Sequence, residues 1–209
     1  MKKYELTEET VTVYGKTLYR IRAVRDFGSV KTGEFGGYIE KEENLSHFGN
    51  AWVSGNAWVF GNAWVFDNAR VYDDTWVYGN ARVYDNARVS GDARVFDNAK
   101  VYGDAKVYGD ARVSGDAWVS GNAWVYGNAE VFNTRHFFVQ GPIGSRDGYV
   151  TFYRTKDDTI GVRCGCFSGS LQKFVDRVEE THGGSRYEKE YKLAAELAKV
   201  CIRLEGESR

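Results

Sequence analysis

Proline is almost missing from this chain. The single one among 209 residues, Pro142, lies outside the tract that dominates the sequence. That excludes a proline-rich linker or a collagen-like chain. Cysteine is scarce, odd in number and late: Cys164, Cys166 and Cys201. A disulfide framework is therefore not expected, and a reducing, cytoplasmic setting is. No apolar run is long enough for a membrane-spanning helix, and the start Met1-Lys2-Lys3-Tyr4-Glu5-Leu6 has no apolar signal-peptide core. Neither a membrane nor an export route is expected. The formal net charge is −1, which argues against both a nucleic-acid binder and a polyacidic mimic.

What is abundant is one phrase. From Gly49 to Phe132 a six-residue unit, (Gly/Asp)-(Asn/Asp)-Ala-x-Val-x, recurs fourteen times without a break. A fixed short period means units that cannot bury a core alone and must stack on one another. Val (53, 59, 65 and onward) and Ala (51, 57, 63 and onward, with Thr75 the exception) stand two apart and point to one side of a short strand. The residue between them faces outward. The Gly/Asp–Asn/Asp pair tolerates left-handed backbone angles and hydrogen-bonds the local backbone, as a corner requires. Strand and corner repeated give a triangular prism, three units to a coil. The tract makes about five coils, roughly 4.8 Å apart.

Three segments result: an N-terminal β cap and first degenerate coil (1–48), the repeat prism (49–132) and a C-terminal α+β module (133–209). In the first, Thr10–Tyr14 and Thr17–Ile21 alternate around Gly15-Lys16 as a β-hairpin with a two-residue turn. Ile39 and Leu45 lie in phase with the alanine column and begin the first coil. In the last, His136–Val139, Tyr149–Tyr153 and Thr159–Cys164 read as strands. Two helices follow, one with Leu171, Phe174, Val175 and Val178 inward, the other with Tyr187, Tyr191, Ala194, Leu197, Ala198 and Cys201 inward. The module is expected to cap the open end of the prism.

The hexapeptide pattern closely resembles that of left-handed parallel β-helix proteins, and the handedness is implied by that resemblance alone. Ala23-Val24-Arg25-Asp26-Phe27, Val30-Lys31-Thr32-Gly33, Gly36-Gly37-Tyr38-Ile39 and Asn44-Leu45-Ser46 resemble the opening of YdcK-like proteins. Those bacterial β-helix proteins are often grouped with acyltransferases because of their fold. Phage- and prophage-encoded proteins with Gly-Asn-Ala-Arg-Val-Tyr repeats are similar as well. The resemblance spans residues 1–132 and implies the fold; it carries no activity residue by residue.

Hexapeptide-repeat acyltransferases use a histidine base, often on a loop that interrupts the helix. Here no histidine lies between Gly49 and Phe132; His47 precedes the repeats and His136 follows them. They are the candidate bases of the alternative, acyl-CoA-dependent reading, and the plainer reading of each is a terminal-coil residue. The three zinc-binding histidines of a γ-type carbonic anhydrase have no counterpart. Cys164, Cys166 and His182, with Cys201, are the candidate metal ligands. The Cys-x-Cys spacing is tight, Cys201 belongs to an apolar helix face, and a buried free thiol is the simpler account. Arg146, Arg154 and Arg163 flank the Gly-rich turn Gly141–Ser145 as candidate anion ligands, against the plainer reading of solvated arginines. Flat threonine rows for ice binding are missing, since Thr75 is the one threonine in the repeats.

The outward column remains. Residues 18 apart stack, so the first face reads Trp52, Arg70, Arg88, Lys106, Trp124. The second reads Trp58, Trp76, Arg94, Arg112, Glu130, and the third Trp64, Arg82, Lys100, Trp118. The simplest account is that aromatic ladders shield the strands while Asp67, Asp73, Asp85 and Asp97 neutralise the arginines. Yet tryptophan and arginine dominate interface energetics, and an apolar patch of this extent is rare on a monomer. The expectation is a non-catalytic protein-binding or assembly module, without a cofactor, self-associating as a trimer or dimer through its tryptophan-bearing faces.

Overall fold

A computed structural model describes residues 2–204. Its middle is a mainly β, parallel solenoid of about five coils, between N-terminal strands and a C-terminal antiparallel sheet with two helices. The repeat strands, from Trp52–Val53 to Glu130–Val131, are two or three residues long. Their register is the one the period demands: Trp52 pairs with Arg70, Arg88 with Lys106, Arg94 with Arg112 and Lys100 with Trp118. Three sheets result, one per face. Every valine of the column and its alanines are buried. Main-chain bonds join the coils, as from Arg70 N–H to the Ala87 carbonyl at 2.9 Å. Thr75 fits the alanine column because its hydroxyl is satisfied there, donating to the Tyr72 carbonyl at 2.7 Å.

The corners work differently from the expectation. Asp67, Asp73, Asp85 and Asp97 do adopt positive φ, between 56° and 61°. None of them, however, is in an ion pair with a repeat arginine among the described residues. Their carboxylates accept backbone N–H groups one coil on, Asp85 from Gly103 at 3.0 Å and Asp73 from Gly91 at 3.2 Å. Next to them runs an amide ladder, Asn62–Asn80–Asn98–Asp116, with links of 3.2, 3.1 and 3.2 Å. Coil-to-coil satisfaction of donors, more than charge balance, explains these corner residues.

At the N-terminal end, β1 (Tyr4–Val13) and β2 (Lys16–Ala23) form the hairpin and β3 (Phe35–Ile39) leads into the prism. The turn is Tyr14-Gly15, one residue earlier than the sequence suggests, with φ of 48° and 75°. Lys16 already pairs with Val13. A second correction concerns phase. Ile39 pairs with Val59 and Leu45 bridges to Val65, an offset of twenty residues. Both therefore occupy the valine column, not the alanine column, and the corner after Leu45 carries two extra residues. Lys3 and Tyr4 are buried over this end: the Lys3 ammonium donates to the Ala51 carbonyl at 2.6 Å and the Tyr4 hydroxyl to that of Leu45 at 2.7 Å.

At the other end, four antiparallel strands, Phe137–Ile143, Gly148–Arg154, Ile160–Cys164 and Phe167–Ser170, stand in chain order. The last escapes sequence reading because Phe-Ser-Gly-Ser has no strand pattern. Helices α1 (Leu171–His182) and α2 (Arg186–Cys201) cover the sheet, each capped by a serine, Ser170 and Ser185. A second core forms around Phe152, Val162, Phe174, Val178 and Ala198. Leu197, expected inside, is 46% exposed while Ala195 is buried. The module sits on the last coil: Thr155 bridges to Ala129, Lys156 N–H donates to the Asn128 carbonyl at 2.9 Å, and Trp124 N–H to Thr151 Oγ1 at 2.9 Å. No helix among the described residues is long and apolar enough to cross a membrane.

Candidate functional site: one exposed aromatic face and a cationic cleft

The six tryptophans divide by what covers them. Trp52 is 3% exposed, its ring edge-on to Phe27 at 5.3 Å under the N-terminal cap. Trp58 and Trp76 lie against each other at 4.6 Å, with Tyr14 of the hairpin tip on Trp76 at 6.0 Å and the Arg94 guanidinium over it at 4.7 Å. Trp124 is half-buried beneath Arg163 of the C-terminal module, 5.3 Å away, and Lys106, 4.1 Å away. Four of the six thus pack against or beneath the terminal segments. The hairpin and the module attach to the sheets of the first two faces.

The third face is different. Trp64 and Trp118 are 41% and 47% exposed. Between them stand exposed Arg82 and half-buried Lys100, whose ammonium lies 4.2 Å from the Trp118 ring. Beside this column runs a stack, Trp64 on Phe66 at 4.0 Å, Phe66 on Tyr84 at 4.8 Å and Tyr84 on Tyr102 at 5.0 Å. Such a surface offers flat apolar area with two cations at its centre.

The first face leads into a cleft of about 900 Å³ between the solenoid and the C-terminal module. Arg88, Lys106 and Trp124 form one wall; Arg146, Tyr149, Phe167 and Arg177 contribute to the other. Cys164, Cys166, His182 and Tyr191 line it too. Burial pushes the Cys164 thiol up and the Tyr191 phenol up to about 12. In the sequence Arg88 belongs to the outward column, Arg146 to the Gly-rich turn and the cysteines with His182 to a candidate metal set. The fold brings them to one place. Among the described residues no three His, Cys, Asp or Glu side chains converge as a metal site. Arg70 and Arg88 border a second, shallower depression of about 490 Å³ with Trp52.

Other candidates lie elsewhere. Arg154 is buried, held by Asp158 at 2.8 Å and Glu130 at 3.6 Å, so it locks the module to the last coil and faces no incoming anion. Arg163 is occupied by Trp124, by Tyr126 at 5.4 Å and by the Phe167 carbonyl at 3.3 Å. His47 stacks on Tyr4 at 4.3 Å and accepts the Lys3 N–H at 3.3 Å. His136 is buried, Nδ1 accepting the Phe132 N–H at 3.1 Å. Neither histidine lines the cleft.

With this geometry goes a family match. The model of the YdcK β-solenoid repeat matches residues 63–79, 76–91, 81–95, 87–103 and 105–121. The coils of residues 63–121 are YdcK-like β-solenoid repeats. The matched repeats span the third face and the solenoid wall of the cleft except for its last coil, so both candidate surfaces are built on YdcK-like coils. No curated protein matches the chain.

Proposed function

We propose that this YdcK-like solenoid is a non-catalytic protein-binding module. Its contact surface is the third face, and its partner presents carboxylates to Arg82 and Lys100 between apolar contacts for Trp64 and Trp118. The observation that carries this is the exposure of Trp64 and Trp118 on the solenoid face whose outward side is left open by both the N-terminal hairpin and the C-terminal module; the N-terminal segment meets it only at the edge, through Leu45. Large exposed aromatics beside cations are the side chains that anchor interfaces. Burying two such rings contributes on the order of 4–6 kcal/mol before the losses of association are counted. The similarity to phage- and prophage-encoded repeat proteins supports a sharper version, in which the partner is a host defence protein.

The alternative, acyl transfer by His47 or His136, asks a base to act while packed in a terminal coil against backbone groups. Incubation with acetyl-CoA and amine acceptors separates the readings: turnover that disappears in His136→Ala would replace binding with catalysis. The binding reading predicts no turnover, and a partner captured from host lysate that is lost on Trp118→Ala or Arg82→Glu.

Self-association is the second reading, and one observation moves its place. Leu193, Leu197 and Val200 are all exposed and stand at i, i+4 and i+7 on α2, an apolar stripe without the charge repulsion that stacked arginines would bring to a paired solenoid face. A dimer or trimer seated there leaves the third face free. Light scattering at micromolar concentration tests it; a 23.6 kDa species at every concentration refutes it.

A further inference from the structure

We infer that the cleft between the first face and the C-terminal module is a binding site for a nucleoside polyphosphate, the phosphates on its cations and the base against its aromatic side chains.

Charge comes first. The chain as a whole is near neutral, with a formal net charge of −1. Yet four cations, Arg88, Lys106, Arg146 and Arg177, face this one cleft against the single carboxylate of Asp104. Only Arg177 is in an ion pair among the described residues, with Glu180 at 2.6 Å. Asp104 is engaged in the amide ladder, accepting from Asn86 at 3.2 Å. Arg88 and Lys106 are register partners on adjacent coils. Their backbones run one coil spacing apart, roughly 4.8 Å, and the Lys106 ammonium leans over the Trp124 ring at 4.1 Å, so two long cationic side chains rise from adjacent coils on the same wall. Guanidinium forks and an ammonium are the side chains that recognise phosphate oxygens.

The opposite wall is held in place before a ligand arrives. Arg146 sits in a turn bounded by Gly144 and Asp147, both at positive φ, 76° and 45°. Glu190 of α2 fixes that turn by accepting the Gly144 N–H at 2.7 Å. Gly144 also has no room for a side chain, because the Tyr191 hydroxyl occupies the place of a Cβ. Preorganisation of this kind lowers the ordering cost of binding.

The aromatic component is the second requirement. Trp124, Tyr149, Phe167 and Tyr191 line the cleft together with the cations, and Tyr149 keeps 42% of its surface exposed. A flat ring of the ligand would stack there, which a bare phosphate could not use. The volume of about 900 Å³ falls within the range of small-molecule sites, whereas a nucleic-acid strand would need a groove that continues past the module.

The test is calorimetric titration of the full chain with ADP, GDP and UDP, with pyrophosphate and adenosine as the separated halves. Saturable binding of at least one nucleotide is expected, about tenfold or more tighter than either half. Arg88→Gln with Arg146→Gln should abolish it. Tyr149→Ala should weaken the nucleotide about tenfold while leaving pyrophosphate unchanged. Arg112→Gln, exposed on the second face, should leave nucleotide binding unchanged. These side chains are exposed or half-buried, so the variants fold; circular dichroism verifies that. The inference is overturned if none of the three nucleotides binds, if pyrophosphate binds as tightly as they do, or if Arg112→Gln weakens binding as much as the cleft variants.

Discussion

Replacing Val83 with alanine tests the packing of the solenoid at a place where inside and outside are adjacent in sequence. Val83 is fully buried at the middle of the third face, its strand pairing with Val65 on one side and Val101 on the other. The substitution removes two methyl-sized groups, about 1.6 kcal/mol at ~0.8 kcal/mol each. Because valines above and below are tied to their own coils, the gap closes only in part, and the total should reach about 2–3 kcal/mol. Arg82→Ala, one residue away and exposed, should stay within about 0.5 kcal/mol. Chemical denaturation of the two variants side by side measures both. The double variant Val83→Ala/Val101→Ala should depart from additivity, since the two share a contact across the coil boundary. A cost for Val83→Ala no larger than that for Arg82→Ala would refute the claim that the valine column is a packed core.

Three further outcomes follow from particular residues. Gly79 has φ of 70°, and a Cβ there would lie 2.8 Å from the Asp97 nitrogen, so Gly79→Ala should cost about 1–3 kcal/mol by denaturation, whereas Gly127, with nothing within 4 Å, should show only the backbone part of that loss. Burial, with Arg25 nearby, draws the Lys3 ammonium down to about 8. Below that pH the folded state holds a buried charge; from about pH 8 upward it sheds the proton while the unfolded chain keeps it, so stability should rise with pH. The rise stops as Cys164, Tyr153 and Tyr191, all raised by burial, begin to ionise in the unfolded chain, and Lys3→Met should flatten the rising limb in pH-dependent melts. Finally, acrylamide quenching should reach Trp64 and Trp118 far more than Trp52: in single-tryptophan variants, a Trp52 signal as accessible as that of Trp118 would contradict the cap.

The solenoid was legible because its period is strict. Alternation of Val and Ala set the inner face, and the eighteen-residue coil set every cross-strand pair, from Trp52–Arg70 to Arg112–Glu130. What escaped lies where the period breaks. Two extra residues after Leu45 moved Ile39 and Leu45 into the valine column, and no pattern in Ser46–Asn50 announces that insertion. The strand Phe167–Ser170 alternates nothing apolar and pairs only because Ile160–Cys164 offers an open edge. The fate of the tryptophans was also hidden, since columns tell which residues stack but not what covers them: Tyr14 and Arg163, far apart in the chain, decide that for Trp76 and Trp124. The cleft is the extreme case. Arg88 and Arg146 belong to different segments, and only the docking of Thr155 and Lys156 on the last coil makes them neighbours of one cavity.

Site-specific photo-crosslinking tests the central claim most directly. A photoreactive residue replaces Tyr84, in the aromatic stack beside the third face, in one variant and Arg94 on the second face in another, each exposed to host lysate under the same illumination. The account predicts a discrete crosslinked protein from position 84 and none from position 94, with the yield from position 84 removed by Trp118→Ala. Equal crosslinking from both positions, or none from position 84 alongside His136-dependent turnover of acetyl-CoA, would contradict it.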